Sequence, residues 1–308
     1  MFTKPGDTAQ LLWNGELTTR GRLYRLGLGL AGGPVLWLGL FLLAPSVVLI
    51  ALAFAQRGAY GQIEWTATLD NFVRLAGLGG DRWTGDYLLI LWRSVWMAIV
   101  TTALSLLLSY PLAFFIASRT PRTRYLLLSL VMVPFCTNMV IRTYAWQLLL
   151  SRQLPIARLA AMLGFIDAES SLYPSAFAVY LGMVSTFLPF AILPLYTNVE
   201  RLDWSIVEAA HDLYASRWRV FRHAILPQTI PGLSAAIILT FIPAMGTFVV
   251  PDLLGGANYM LVGSLIQQQF GASRNLPFGA AASFALMAMT LAVLFLLRRH
   301  GKEAAREG

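Results

Sequence analysis

Six apolar runs, each of about the 20 residues that a bilayer core demands, alternate along this chain with short polar segments. They cover roughly 35–55, 88–118, 125–150, 175–198, 230–250 and 278–297. This pattern predicts an all-α membrane protein with six transmembrane helices, because a chain in lipid must satisfy its backbone groups within each segment. Pro111, Pro189, Pro194 and Pro243 interrupt the second, fourth and fifth runs, where they serve either as fixed kinks or as gating bends. The first run ends in Ala53-Phe54-Ala55, the form of a signal-peptidase site. Its length and the long tail ahead of it point instead to an uncleaved helix.

Composition supports the same class. The 308 residues are 57% apolar and 12% charged, with a mean hydropathy of +0.64, whereas soluble domains are about half apolar and about twice as charged. The net charge of +8 is distributed unevenly. Fifteen of the 23 Lys and Arg residues fall in the N-terminal tail, the turn 119–124, the segment 198–229 and the C-terminal tail. Only six fall in the opposite loops, and Arg93 and Arg142 lie within runs. The positive-inside rule then predicts that both termini and the 198–229 segment are cytoplasmic. The tails 1–34 and 298–308 flank a six-helix transmembrane domain over 35–297. Basic charge of this origin calls for membrane lipid as a neighbour and for no nucleic acid.

Several chemistries are excluded. Cys136 is the only cysteine and lies inside an apolar run, so no disulfide framework or thiolate cluster is expected. His211, His223 and His300 lack metal-ligand spacing, and no metal site is expected. Lys4 and Lys302 are the only lysines and are followed by Pro5 and Glu303. A phosphate-binding loop ending in Gly-Lys-Ser/Thr is therefore impossible. No nucleophile–base pair or carboxylate dyad suggests an enzyme. Any ATP that drives this chain must be bound by another subunit.

The most informative stretch is the polar segment 203–227, DWSIVEAAHDLYASRWRVFRHAILP, between the fourth and fifth runs. Ser205 followed by Glu208 has the form of a capping box at a helix start. A capped amphipathic helix between two spans is suited to contacting something outside the membrane. Within the runs, Arg142 is the conspicuous charge, flanked by Asn138, Tyr144 and Trp146. A continuous helix would place it roughly 25 Å along the span from Tyr125. It serves either the transport pathway or a structural pairing. Tyr144 and Trp146 either stack on a cationic solute or belong to an interfacial belt. Asp252 either attracts a cation or caps the polar stretch after it. The runs hold no convincing Asp or Glu, which disfavours an ion-coupled carrier.

Glu208-Ala209-Ala210, with Leu226-Pro227 at the end of a 20-residue frame, resembles the cytoplasmic signature loop of permease subunits in binding-protein-dependent ABC importers. Tyr214 stands where that signature carries glycine, and Ala224 where it carries isoleucine. Val140-Ile141-Arg142-Thr143-Tyr144-Ala145-Trp146, Asp252-Leu253-Leu254-Gly255-Gly256 and Arg274-Asn275-Leu276-Pro277-Phe278-Gly279-Ala280-Ala281 resemble segments of the spermidine/putrescine permeases. These matches cover most of 88–297. The resemblance implies a type I ABC importer permease fold (MetI-like) in the bacterial inner membrane, spanning it several times.

The resemblance also implies partners. They are a second permease subunit of a different sequence, two ATPase subunits that hold ATP and magnesium, and a periplasmic solute-binding protein. Residues 203–227 become the coupling segment, with Glu208, Ala209, Ala210, Asp212, Tyr214, Leu226 and Pro227 at or near the ATPase. Arg217, Arg219 and Arg222 either pair with ATPase carboxylates or only express the positive-inside bias. Asn138, Arg142, Tyr144, Trp146 and Asp252 are the candidates for the solute pathway. The implied solute is a polyamine. An amino acid or opine, a phosphonate or iron is the alternative, and a stand-alone secondary carrier is the competing reading. Tyrosine disfavours the left-handed region that glycine enters freely. A bend with negative φ at Tyr214, its ring packed on the helix pair, is accordingly predicted.

Overall fold

A computed structural model describes residues 31–58, 61–78, 85–154, 157–158, 162, 164, 171–256 and 259–304, with side chains through 295. The expected tail 1–34, up to residue 30, lies outside the described residues, as do the side chains of the expected tail 298–308. The chain divides into two units, Met1–Leu52 and Ala53–Gly308. The first contributes α1, Ala31–Ala53, a helix apolar all round and long enough to cross a bilayer. Within it Trp37 and Phe41 meet one turn apart, with ring centroids 4.4 Å from each other.

The second unit begins with a short antiparallel pair, β1 (Gln56–Arg57) and β2 (Ile63–Glu64), followed by α2 (Asp70–Leu75). Its long helices are α3 (Asp86–Ala117), α6 (Ala176–Glu200), α8 (Arg217–Gly246) and α11 (Leu276–Ala304). Between them lie α4 (Pro121–Cys136), α5 (Met139–Leu149), α7 (Trp204–Asp212), α9 (Val249–Gly255) and α10 (Val262–Phe270). Among the described residues five helices are long and apolar enough to span, α1, α3, α6, α8 and α11. The sixth span exists only as the pair α4 and α5, bent by 92°.

That bend corrects the expectation of one continuous helix over 125–150. Pro134 lacks the N–H that would continue the ladder, and Thr137 is extended, with φ −77° and ψ 149°. Asn138 then starts a new helix by accepting a hydrogen bond from Val140 N at 2.8 Å. The distance estimated from Tyr125 to Arg142 along one axis therefore does not hold.

α3, α6 and α8 pack through rows of residues four apart. On α6 the row Val179, Met183, Phe187, Ala191, Leu195 and Val199 is buried throughout. On α3 it is Met97, Thr101, Ser105, Ser109 and Ala113, and on α8 Gly232, Ala236, Thr240 and Ala244. Small residues in two of the three rows let backbones approach closely, the usual means of helix association in lipid. A Cβ added at Gly232 would lie 2.5 Å from Asn198 Cβ, and one at Gly182 would lie 2.5 Å from Leu254 Cδ1. α6 thus receives α8 on one side and α9 on another. The hydroxyls of Tyr110 and Thr229, 2.9 Å apart, join α3 to α8.

This trio separates two ends. α7 lies at the end where α3 and α6 finish and α8 begins. At the opposite end, α9 and α10 pack near the starts of α3 and α6, where Val262 N donates to Ser94 Oγ at 2.8 Å.

Candidate functional site

The segment over 203–227 folds as a helix, a tight turn and the start of a long helix. Asp203, not Ser205, is the N-cap of α7. Its Oδ1 accepts from Ser205 N at 3.0 Å and from the Ser205 hydroxyl at 2.7 Å. The predicted capping box between Ser205 and Glu208 is not formed. Aspartate caps as well as serine does and stands two residues earlier, so the helix starts at Trp204 and carries Ser205 and Glu208 inside it. The cap is held in turn by Gln228, whose Oε1 accepts from Asp203 N at 3.0 Å.

α7 ends in a left-handed residue. Tyr214 has φ 55°, which overturns the expected negative φ. Tyr214 N donates to His211 O at 2.9 Å, and Ala215 N donates to Ala210 O at 3.1 Å. These two bonds are those of a Schellman motif with tyrosine in the position that glycine usually holds. Two otherwise orphaned carbonyls gain partners, and this offsets the roughly 1–2 kcal/mol that a side chain adds in the left-handed region. Ala210 and Ala215 complete the motif by packing beside Val207, Leu202, Val220 and Ala224. The Tyr214 ring does not pack on the helix pair; the residue is 97% exposed.

The turn therefore buries one face and presents another. Val207 is buried, while Glu208, Ala209 and Asp212 are exposed and Ala210 is half-buried. Trp204, Ile206, Leu213 and Trp218 are also exposed, Leu213 at 81%. Sequence reasoning missed these large apolar residues because it treated the segment as polar. The available signal was that they fall off the buried period of an otherwise charged helix.

After the turn the helix is continuous from Arg217 to Gly246, so the fifth span does not begin at 230. Pro227 is accommodated by a π-helical turn over Phe221–Ile225. The wider turn relieves the clash of the proline ring with the preceding turn. Gln228 Nε2 donates to Ala224 O at 2.8 Å, so Ala224 sits buried at the centre of this adjustment. Leu226 is half-buried and Pro227 exposed; Arg217, Arg219 and Arg222 are exposed along one stretch. Beside α7, a groove of about 520 Å³ opens between Phe115, Ser118, Arg124, Glu200 and Trp204. Arg124 and Glu200 form an ion pair at 2.5 Å that ties α4 to α6.

The pathway candidates lie toward the opposite end and do not converge. Asn138 caps α5. Arg142 Nη1 donates to Pro134 O at 2.9 Å, back across the bend. Tyr144 is half exposed, whereas Trp146 Nε1 donates to Ser185 Oγ at 2.9 Å and packs beside the main core. Residues two apart on a helix do not face each other. Tyr144 and Trp146 accordingly form no common aromatic wall. Asp252 is exposed in the first turn of α9. Among the described residues no group of three His, Cys, Asp or Glu side chains is placed to hold a metal ion.

Similarity to known proteins agrees with this arrangement. Residues 109–303 match the family model for the binding-protein-dependent transport system inner membrane component. The spermidine/putrescine transport system permease protein PotB of Haemophilus influenzae is 37% identical over 266 residues, covering 86% of this chain and 91% of the relative. PotB of Escherichia coli is 39% identical over 250 residues, covering 81% and 88%. A solved bacterial ABC transporter that imports the acidic polysaccharide alginate has the same fold, with a TM-score of 0.66 at 18% identity over 95% of this chain and 98% of its own. The alginate transporter solved with its pentasaccharide-bound periplasmic protein gives 0.59 at 15% identity, over 94% and 96%. The family match, the PotB relatives and the helices long enough to span together make this chain a multi-pass inner-membrane permease of the binding-protein-dependent transport system family.

Proposed function

We propose that this chain forms half of the translocation pathway of an ATP-driven importer for polyamines such as spermidine and putrescine. The observation that carries the reading is α7. It is a short helix capped by Asp203, closed by Tyr214, and exposing Glu208, Leu213 and Tyr214 beyond the bundle. Identity with PotB over more than four-fifths of the chain supplies the substrate class. The arginine distribution supports a cytoplasmic position for α7 and both termini.

There α7 is the coupling helix. Glu208, Ala209, Ala210, Asp212 and Tyr214 dock into an ATPase subunit, while Leu226 and Pro227 connect the dock to α8. Two ATPase subunits hold ATP and magnesium, and this chain catalyses nothing itself. Their closure moves a pair of permeases, of which the second is a different chain, between inward- and outward-open states. A periplasmic binding protein delivers the solute to the end bearing α9 and α10. Asn138, Arg142, Tyr144, Trp146 and Asp252 lie on the elements that line or shape that entrance.

The test is reconstitution of the complete complex in liposomes, with labelled spermidine outside and ATP within reach of the ATPases. Uptake that requires both ATP and the binding protein is the expected result. Spermidine uptake by this chain alone, without any ATPase, would overturn the importer reading. ATP-driven uptake of a different solute class with none of spermidine or putrescine would overturn the substrate.

A further inference from the structure

We infer that Arg142 is the clasp of the α4–α5 elbow and a positioning residue for transport, not a ligand of the solute. The inference rests on the permease reading and concerns how the broken third span keeps its shape. In lipid an unsatisfied carbonyl is costly, so a break in a spanning segment survives only where other groups replace the lost ladder. Pro134 O is one of the carbonyls left at this break. It accepts from Thr137 N at 3.3 Å, from Thr137 Oγ1 at 2.6 Å and from Arg142 Nη1 at 2.9 Å. The first two bonds are local to the turn. Only the third crosses the elbow, and it sets a positive charge at the C-terminal, negative end of α4.

Packing holds α4 along one side only, through the half-buried Leu127, Leu128 and Val131 and through Phe135, whose ring meets that of Phe190 edge to face at 5.0 Å. None of the sixteen residues of α4 is buried. At its start α4 is held by Arg124, which pairs with Glu200 and donates to Ala117 O at 2.9 Å. At its end, Arg142 reaches back to it. α5 is anchored at its own far end, by Trp146 on Ser185 and by Gln147 Nε2 donating to the Tyr173 hydroxyl at 2.6 Å. Between two anchored ends, the bond from Arg142 Nη1 to Pro134 O links the two helices across the elbow. An arginine offered to a polyamine would meet it with like charge. This one turns its Nη1 onto backbone instead, at the start of the helix that carries Tyr144, Trp146 and Gln147.

The test uses the full complex of both permeases, the ATPases and the binding protein in liposomes, with labelled spermidine and putrescine as probes. Arg142→Met is expected to lower the maximal uptake rate about tenfold, as loss of a charge-assisted hydrogen bond implies. The loss should be equal for both amines, with the half-saturating concentrations unchanged. Arg142→Lys, which keeps one charged donor, should recover most of the rate.

Spin labels at Leu126→Cys and Leu148→Cys, in a Cys136→Ser background, report the elbow directly. Their distance distribution should be narrow with Arg142 or Lys and broad with Met. Should the Met variant assemble poorly, Arg142→Gln, which keeps an uncharged donor, is expected to fall between Lys and Met in both readouts. Unchanged distances together with half-saturation altered differently for the two amines would overturn the clasp and make Arg142 a solute-contacting residue. If the unaltered complex moves neither amine, the substrate reading fails, and the spin-label distances still decide the clasp.

Discussion

The turn at Tyr214 and the elbow at Thr137 both end a helix abruptly, yet they satisfy the freed carbonyls by different means. At Tyr214 two backbone N–H groups turn onto His211 O and Ala210 O, and the side chain points away. At Thr137 a hydroxyl, an arginine and one backbone N–H converge on Pro134 O, and Asn138 caps the next helix. The difference follows the surroundings. A turn beyond the membrane has water for whatever its motif leaves over. The elbow interrupts an apolar stretch of bilayer length, and there side chains are recruited to the freed carbonyl. The water-side turn tolerates an unfavourable tyrosine, while the membrane elbow depends on its polar residues.

The largest expected effect concerns what the exposed turn faces. Glu208→Lys should lower ATP-driven uptake by at least about tenfold, the scale of breaking a charged contact at an interface. The quantity of permease in the membrane should stay the same. ATPase subunits retained at wild-type levels, with normal uptake, would show that α7 does not dock through Glu208.

The next effect separates the two caps. Asn138→Ala should destabilise the solubilised complex by about 1–2 kcal/mol, the upper range for a lost N-cap. Asp203→Ala should remove about 1 kcal/mol or less, because water can reach the start of α7. Thermal unfolding of both variants measures the pair, and an equal or reversed order would erase the distinction drawn between the two breaks.

The smallest effect is at Tyr214. Tyr214→Gly relieves the left-handed side chain but increases the freedom of the unfolded chain. It should stabilise the protein by about 0.5 kcal/mol net. Its uptake should nevertheless fall, by less than for Glu208→Lys, if the exposed ring belongs to the proposed ATPase dock. A higher unfolding temperature with reduced uptake is the expected signature; a lower one would mean that the ring packs against the chain.

Much of the fold was legible along the chain because lipid imposes a single strong rule. Apolar runs of bilayer length had to become helices, and α1, α3, α6, α8 and α11 fall on five of the six runs. The family frame around Glu208-Ala209-Ala210 was equally visible, since its spacing survives the replacements at Tyr214 and Ala224. Less visible was the local geometry at that frame. Serine and aspartate cap equally well, so residue type pointed to Ser205 without excluding the earlier aspartate, and the position of Gln228 beside Asp203 N favours the earlier start. Tyrosine argues against a left-handed bend on intrinsic grounds. The bend occurs because Ala215 and Ala210 meet over a small apolar cluster built from α7, the start of α8 and Leu202.

What the sequence by itself determined was class: the number of apolar runs, their lengths and their order along the chain. These depend on transfer to lipid and on residue identity, which act one segment at a time. Tertiary structure decided the rest. It broke the third run at Thr137, extended the fifth run back to Arg217 through a π-turn, and separated Trp146 from Tyr144 by tying it to Ser185. It also joined Arg124 to Glu200, residues far apart in the chain. Each of these turns on which polar group finds a partner across the fold. Hydropathy is blind to that, because pairing depends on distance and direction between elements and not on the composition of any one of them.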